Sequence, residues 1–312
     1  MVLQPVIEKW PAAVSAVTIG AVKSEGGSRV QAIHIGGQNT LPLLFKEGQI
    51  PNPPKIAFEV WDMAPSEWPD ELLRAWGKVI NDPFKWAECC VKEHKAELIC
   101  VKLQSFHPDY GNKDAAGAGK FIKELLRQMD VPLIITGCGD DAKDNQIIPV
   151  VSEAAKGERC LIGSAVQENY KTLVASVLAD GHNIIAESPI DVNIAKQLNI
   201  LISDIGLGLE RIVMNPTIGA LGYGLEYAYS IMERARLAAL SGDKTLASPF
   251  ICFSGQEAWR AKEAKLSAEC GTIWETITSS VLIQAGADIL VMRHPAAAAK
   301  VARHINNLFG RT

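Results

Sequence analysis

The chain has 312 residues, 48% hydrophobic and 21% charged, with a formal charge of −4. That composition excludes a disordered polymer, and the mild acidity argues against nucleic acid or an anionic membrane as the main partner. No apolar run approaches the ~20 residues of a bilayer span, and the opening Met1-Val-Leu-Gln-Pro-Val-Ile-Glu-Lys lacks the basic and apolar regions of a secretory signal. The expected compartment is the cytoplasm.

Residues 1–55 read as an N-terminal β-hairpin and lead-in. Val14–Gly20 and Val30–Gly36 alternate apolar and polar residues, and they flank the glycine-containing loop Lys23-Ser-Glu-Gly-Gly-Ser-Arg. From residue 56 to 312 the pattern changes. Short runs rich in Ile, Val and Leu recur at Ile56–Trp61, Leu98–Leu103, Leu133–Thr136, Cys160–Gly163, Asn183–Ala186, Ile212–Asn215, Phe250–Phe253 and Asp288–Met292. They lack the alternation of a half-exposed strand, which is how strands buried on both faces of a parallel sheet read.

The segments between carry helix signals. Asp82-Pro83 is an N-cap followed by proline at the first helical position. Ile194, Leu198, Leu201 and Ile205 form a stripe expected to face a core. Gly224–Leu240 ends just before Gly242, and Ile273–Gln284 and Ala296–Leu308 supply the last two helices. Eight strands alternating with helices over this length indicate a single α/β domain, a closed (β/α)8 TIM barrel whose floor the hairpin covers. An open doubly wound sheet is the alternative.

In such a barrel, function collects on the loops after the strands. Here those loops converge amides, hydroxyls and carboxylates on one rim, the pattern of a binding surface. Asp62 and Asp191 lie near strand ends and are either an acid–base pair or helix caps. His107-Pro-Asp109 reads as a turn or a general base, and Arg293-His294-Pro295 as a helix start or a site. Gly137-Cys-Gly139 and Gly219–Gly224 allow close backbone approach but match neither a P-loop nor a dinucleotide fingerprint. Seven scattered cysteines without a C-x-x-C describe neither a disulfide framework nor a ligand set for zinc or an iron–sulfur cluster. Cys100, Cys160 and Cys252 sit in apolar runs as small hydrophobes.

Longer stretches carry a resemblance. Phe45-Lys-Glu-Gly-Gln-Ile-Pro-Asn-Pro-Pro, Gln167-Glu-Asn-Tyr-Lys, Asp191-Val-Asn-Ile-Ala-Lys-Gln-Leu-Asn-Ile-Leu, Asn215-Pro-Thr-Ile-Gly-Ala-Leu-Gly-Tyr-Gly-Leu-Glu-Tyr and Glu257-Ala-Trp-Arg-Ala-Lys-Glu-Ala, with shorter matches between them, span residues 14–310. Together they resemble the small subunit of the corrinoid iron–sulfur protein, also called the delta subunit of the acetyl-CoA decarbonylase/synthase complex.

The resemblance implies a (β/α)8 barrel paired with a large corrinoid iron–sulfur subunit that carries the cluster and most of the corrinoid (cobalamin). It also implies methyltetrahydrofolate methyltransferase and acetyl-CoA synthase/CO dehydrogenase as further partners in methyl transfer from methyltetrahydrofolate or tetrahydrosarcinapterin. The chain lacks the D-x-H-x-x-G corrinoid-holding element, so it is expected to be a non-catalytic cap over a cofactor held elsewhere. The residues expected to line that cap are Asp62, Gln104, Ser164, Asn169, Asp191, Asn215, Thr217, Gly222, Tyr223 and Met292. Two departures matter. The segment between Lys262 and Gly271 is shorter than the family pattern, and Asn215 stands where the pattern has an aspartate, so no carboxylate role is carried over there. The rival readings are a pterin-dependent methyltransferase gripping its pterin with Asp62, Asp191 and Asn215, and an aldolase-type barrel using Lys102.

Overall fold

The computed structural model describes residues 6–310. Strands β1 (Ala16–Ile19) and β2 (Ile33–Gly36) pair antiparallel, with Ala16 opposite Gly36 and Ile19 opposite Ile33. The remaining strands are β3 (Lys55–Trp61), β4 (Ile99–Lys102), β5 (Leu133–Thr136), β6 (Leu161–Ala165), β7 (Asn183–Glu187), β8 (Ile212–Asn215), β9 (Phe250–Cys252) and β10 (Ala287–Met292). They run parallel in sequence order, and β10 closes on β3 to complete an eight-stranded barrel. All eight apolar runs of the sequence become strands, so the barrel is confirmed over the open sheet.

The helices are α1 (Asp70–Trp76), α2 (Pro83–Lys92), α3 (Ala115–Gln128), α4 (Asp141–Ala154), α5 (Tyr170–Asp180), α6 (Val192–Asp204), α7 (Leu225–Leu240), the short α8 (Ser254–Ala258), α9 (Ala268–Ala285) and α10 (Pro295–Phe309). Asp82 caps α2 by accepting from the backbone N–H groups of Phe84 and Lys85, with Pro83 at the first helical position, as its sequence predicts. The stripe expected on α6 is displaced. Its buried face is Ala195, Leu198, Asn199 and Ile202, while Ile194, Leu201 and Ile205 are only half-buried. Asn199 belongs inside because its Nδ2 donates to the Thr245 carbonyl at 2.8 Å.

Each strand divides its side chains between two cores. Phe58, Val60, Ile99, Val101, Ile135, Ile162, Ile184, Met214, Phe250, Leu290 and Met292 point outward to the helices. Ala57, Cys100, Ile134, Leu161, Ile185, Val213, Ile251, Ile289 and Val291 point inward and fill the barrel. This is the period-2 alternation of strands with both faces buried.

The hairpin completes the inner core. Val17, Ile19, Ile33 and Ile35 join the inward residues, so β1 and β2 plug the floor. Polar contacts fix the plug: Asn183 Nδ2 donates to the Thr18 carbonyl at 2.8 Å, and Gln38 Nε2 donates to Asp288 at 3.0 Å. The buried Arg29 donates to Glu158, to the carbonyl of Leu126 in the last turn of α3 and to those of Met129 and Val131 just beyond it. With the floor sealed, the C-terminal end of the barrel is its open end.

Candidate functional site at the barrel mouth

Continuing the alternation upward gives the uppermost inward layer. Glu59 lies two residues above Ala57, Lys102 two above Cys100, Thr136 two above Ile134, and Glu187, Asn215 and Phe253 two above Ile185, Val213 and Ile251. These six side chains, with Ser164, Thr217, Gln256, Glu257, Asp141 and Asp144, line a cavity of about 220 Å³.

Its electrostatics are largely settled internally. The Glu59 carboxylate accepts from Arg293 Nε at 2.8 Å, Arg293 Nη2 at 2.7 Å and Trp61 Nε1 at 2.5 Å. Burial opposes its charge, but the Arg293 guanidinium outweighs that and holds its pKa below the ordinary value. Across the mouth, Asn215 Nδ2 donates to Glu187 at 3.0 Å. Asp144 accepts from the backbone N–H groups of Cys138 and Gly139 and holds the turn after β5; burial raises its pKa. Lys102, at the inner rim, has its pKa lowered by burial, with Glu59 acting the other way. The lining therefore offers carboxylates, amides, hydroxyls and one ammonium, but no imidazole, thiol or thioether.

Nine of the ten candidates from sequence divide into three groups. Ser164, Asn215 and Thr217 line the mouth; Thr217 also donates to the Ser188 carbonyl at 2.9 Å and sits at a positive φ of 40°. Gln104 lines a neighbouring cleft of about 290 Å³ that shares Lys102 and Gln256 with the mouth. The others build the rim rather than face the cavity. Asp62 accepts from the Ser105 backbone N–H at 2.8 Å and from its hydroxyl, and burial raises its pKa. Asn169 brackets the loop after β6 through the Val166 N–H and the Ser164 carbonyl. Asp191 caps α6 by accepting from Asn193 and Ile194. Gly222 supplies a positive φ of 76° in the loop after β8, and the half-exposed Tyr223 donates its hydroxyl to Glu263 at 2.9 Å.

Met292 is fully buried between the barrel wall and the helices and does not reach the mouth. It lies one residue above the inward Val291, so strand alternation points it outward. Asp62 and Asp191 follow β3 and β7, four strands apart in a ring of eight, and each is committed locally. Their capping alternative is therefore correct for Asp191, and no acid–base pair forms. His107 accepts from the Asp109 N–H and closes a turn, and His294 caps α10 by accepting from Ala296. Glu59, Thr136 and Glu187 are not among the sequence candidates, and Lys102 is read there only as a possible aldolase lysine. Counting in twos from the apolar strand residues would have found all four.

A sequence profile described as CO dehydrogenase/acetyl-CoA synthase delta subunit matches residues 16–303. The chain belongs to this family. A relative from Methanocaldococcus jannaschii, named acetyl-CoA decarbonylase/synthase complex subunit delta, is 36% identical over 304 residues, covering 94% of this chain and 73% of the relative. One of the same name from Methanothermobacter thermautotrophicus is 35% identical, covering 98% and 78%.

Among solved structures, the chain is similar to dihydropteroate synthases. That of Burkholderia cenocepacia complexed with 7,8-dihydropteroate superposes with a TM-score of 0.58 at 15% identity, over 86% of this chain and 97% of that one. One from Xanthomonas albilineans gives 0.57 at 13%, over 83% and 94%. At such identities the likeness concerns the fold. Among the described residues, no helix is long and apolar enough to cross a membrane.

Proposed function

We propose that this delta-family chain caps a corrinoid ring held by a partner subunit of the acetyl-CoA decarbonylase/synthase complex, and makes no bond itself. The carrying observation is the size and chemistry of the mouth. Pockets that engulf a ligand usually span roughly 300–1,000 Å³, and this cavity is about 220 Å³. A macrocycle cannot enter it and would have to lie across it.

The residues fit such a ring at its edge. Asn215, Thr217, Ser164 and Gln104 present amides and hydroxyls toward the open end, suited to the amide side arms of a corrin. Ile190, Tyr223, Tyr227 and Leu266, on or beside the loops after β7, β8 and β9, expose apolar surface on the same rim, where a partner subunit or the ring would be covered. The lining has no imidazole, thiol or thioether, and its carboxylates Glu59 and Glu187 already accept from Arg293 and Asn215, so the cap would shield and orient without competing for the metal. When bound, the corrinoid supplies a cobalt centre that accepts and gives up a methyl group. The chain's part is to exclude water from that centre.

On this reading the partners are the large corrinoid iron–sulfur subunit, methyltetrahydrofolate methyltransferase and acetyl-CoA synthase/CO dehydrogenase. The methyl donor would be methyltetrahydrofolate or tetrahydrosarcinapterin. The commitment of Asp62 to Ser105 and of Asp191 to α6 leaves Asn215 alone among the three residues a pterin grip would use, which weighs against the methyltransferase reading. The visible corrin spectrum tests the proposal. The chain purified alone should retain no corrin absorbance, whereas adding it to its corrinoid-loaded large subunit should alter the spectrum. Tight corrinoid retention by the lone chain, or turnover of a methyl donor by it, would defeat the reading.

A further inference from the structure

The cleft beside the mouth has unspent binding capacity. Trp61, Lys102, Gln104, Gln256, Arg260 and Lys265 line it. Gln104 is 5% exposed, and its buried Oε1 has no hydrogen-bond partner. Burying such a group is costly unless something fills its bonding capacity. The Lys102 ammonium rests 5.2 Å from the Trp61 ring centroid, and among the described residues this side chain makes no hydrogen bond and no ion pair within 4 Å. Arg260 shares its charge with Glu257 at 2.7 Å at the outer edge. The Lys102 and Arg260 cations thus line the same cleft as an unsatisfied amide, with Glu59 the acid that acts on Lys102. Of the acids that line the same cleft, Glu67 is engaged by the Tyr110 hydroxyl and Asp109 is largely exposed.

We propose that this cleft binds a small carboxylate that also presents an N–H or O–H, with Lys102 and Arg260 taking the carboxylate and Gln104 Oε1 accepting from the donor. A bare anion would use the cations and leave the amide orphaned, whereas a neutral amide would leave the charge unanswered. An acylated amino acid satisfies both. The cleft shares Lys102 and Gln256 with the mouth, and Gln104 also serves the proposed corrin edge, so the site is tested on the chain alone with no corrinoid present.

Tryptophan fluorescence reports on the site directly, because Trp61, Trp68 and Trp259 border it. The whole chain is titrated at constant ionic strength with N-acetyl-L-glutamate, with glutarate, which lacks the N–H, and with the neutral N-acetylglutaminamide. N-acetylglutamate should give a saturable change below ~10 mM, a weak affinity on the millimolar scale. Glutarate should bind more weakly and the neutral compound not at all. Lys102→Met should weaken N-acetylglutamate at least about tenfold, the usual order for losing a charge-assisted hydrogen bond. Gln104→Leu should erase its advantage over glutarate. If Lys102→Met does not fold, Arg260→Ala at an exposed position replaces it, with a smaller loss of the same sign. No saturable change, equal binding of the neutral compound, or affinity unchanged in the folded lysine or arginine variant would overturn the proposal.

Discussion

Replacing Arg293 by methionine tests whether the mouth is held open by a buried ion pair. Arg293 and Glu59 are 7% and 1% exposed, and they meet through two parallel N–H···O bonds of 2.8 and 2.7 Å. Methionine keeps the length of the stem and removes both donors. Glu59 then stays buried with Trp61 Nε1 and the nearby charge of Lys102, so the cost should be about 4 kcal/mol, within the range for breaking one side of a buried pair. Unfolding entropy near 2.1 cal/mol/K per residue over 312 residues gives roughly 0.7 kcal/mol/K, so Tm should fall by about 6 °C.

Scanning calorimetry at neutral pH measures that shift. The double variant Glu59→Gln/Arg293→Met should recover much of the loss, because the orphaned charge is gone, giving a coupling of roughly 2 kcal/mol. An Arg293→Met chain melting within about 1 °C of the parent would refute the reasoning, since Glu59 would then not depend on its guanidinium.

The remaining expectations test other parts of the molecule. Ile35→Ala, at the centre of the hairpin plug, should cost roughly 3 kcal/mol in urea unfolding; a loss below about 1 kcal/mol would mean the plug is not part of the barrel core. Asp191→Ala should cost about 1 kcal/mol through the lost α6 cap and leave corrinoid retention by the complex unchanged; the pterin-grip reading instead requires it to abolish pterin binding. Burial pushes His294 down to about 4 from its ordinary 6.5, so the stability it contributes is full above pH 6.5 and lost as pH falls toward 4. His294→Asn keeps a capping side chain and should flatten that acid limb in denaturant midpoints at pH 7, 5.5 and 4.5. Burial raises Glu275 to about 7, so the stability it contributes is lost as pH rises from 4.5 toward 7. With His294 gone, the Glu275 contribution is no longer offset by that imidazole, so the midpoint should fall less between pH 7 and 4.5 in the variant than in the parent.

Most of the barrel was legible because parallel strands between two cores must be apolar on both faces, and that makes eight compact runs stand out. The hairpin was legible through its alternation, although its strands are shorter than Val14–Gly20 and Val30–Gly36 because the flanking backbone bonds elsewhere, Ser15 to the Ala247 carbonyl, Gly20 to that of Arg159 and Val30 to that of Asp130. The phase of α6 was misread because a polar residue, Asn199, belongs to its buried face, which no hydrophobic pattern reveals.

The mouth was legible only in part. Ser164, Asn215 and Thr217 stand out as polar residues after strands, but Glu59 and Lys102 sit inside the strands themselves and are visible only through the parity of their neighbours. The same parity removes Met292. Asp62, Asn169 and Asp191 have the composition of a site but spend their hydrogen bonds on the loops, and a sequence does not show which partner a carboxylate has chosen.

The central claim is that the open end of the barrel, with its small polar cavity, is the face presented to the corrinoid-bearing partner. Hydrogen–deuterium exchange compared between the chain alone and the chain with its corrinoid-loaded large subunit tests this most directly. The account requires strong protection of residues 215–224 and 253–266 on the rim and little change at residues 22–31 under the floor. Protection of the floor with an unaltered rim would contradict it.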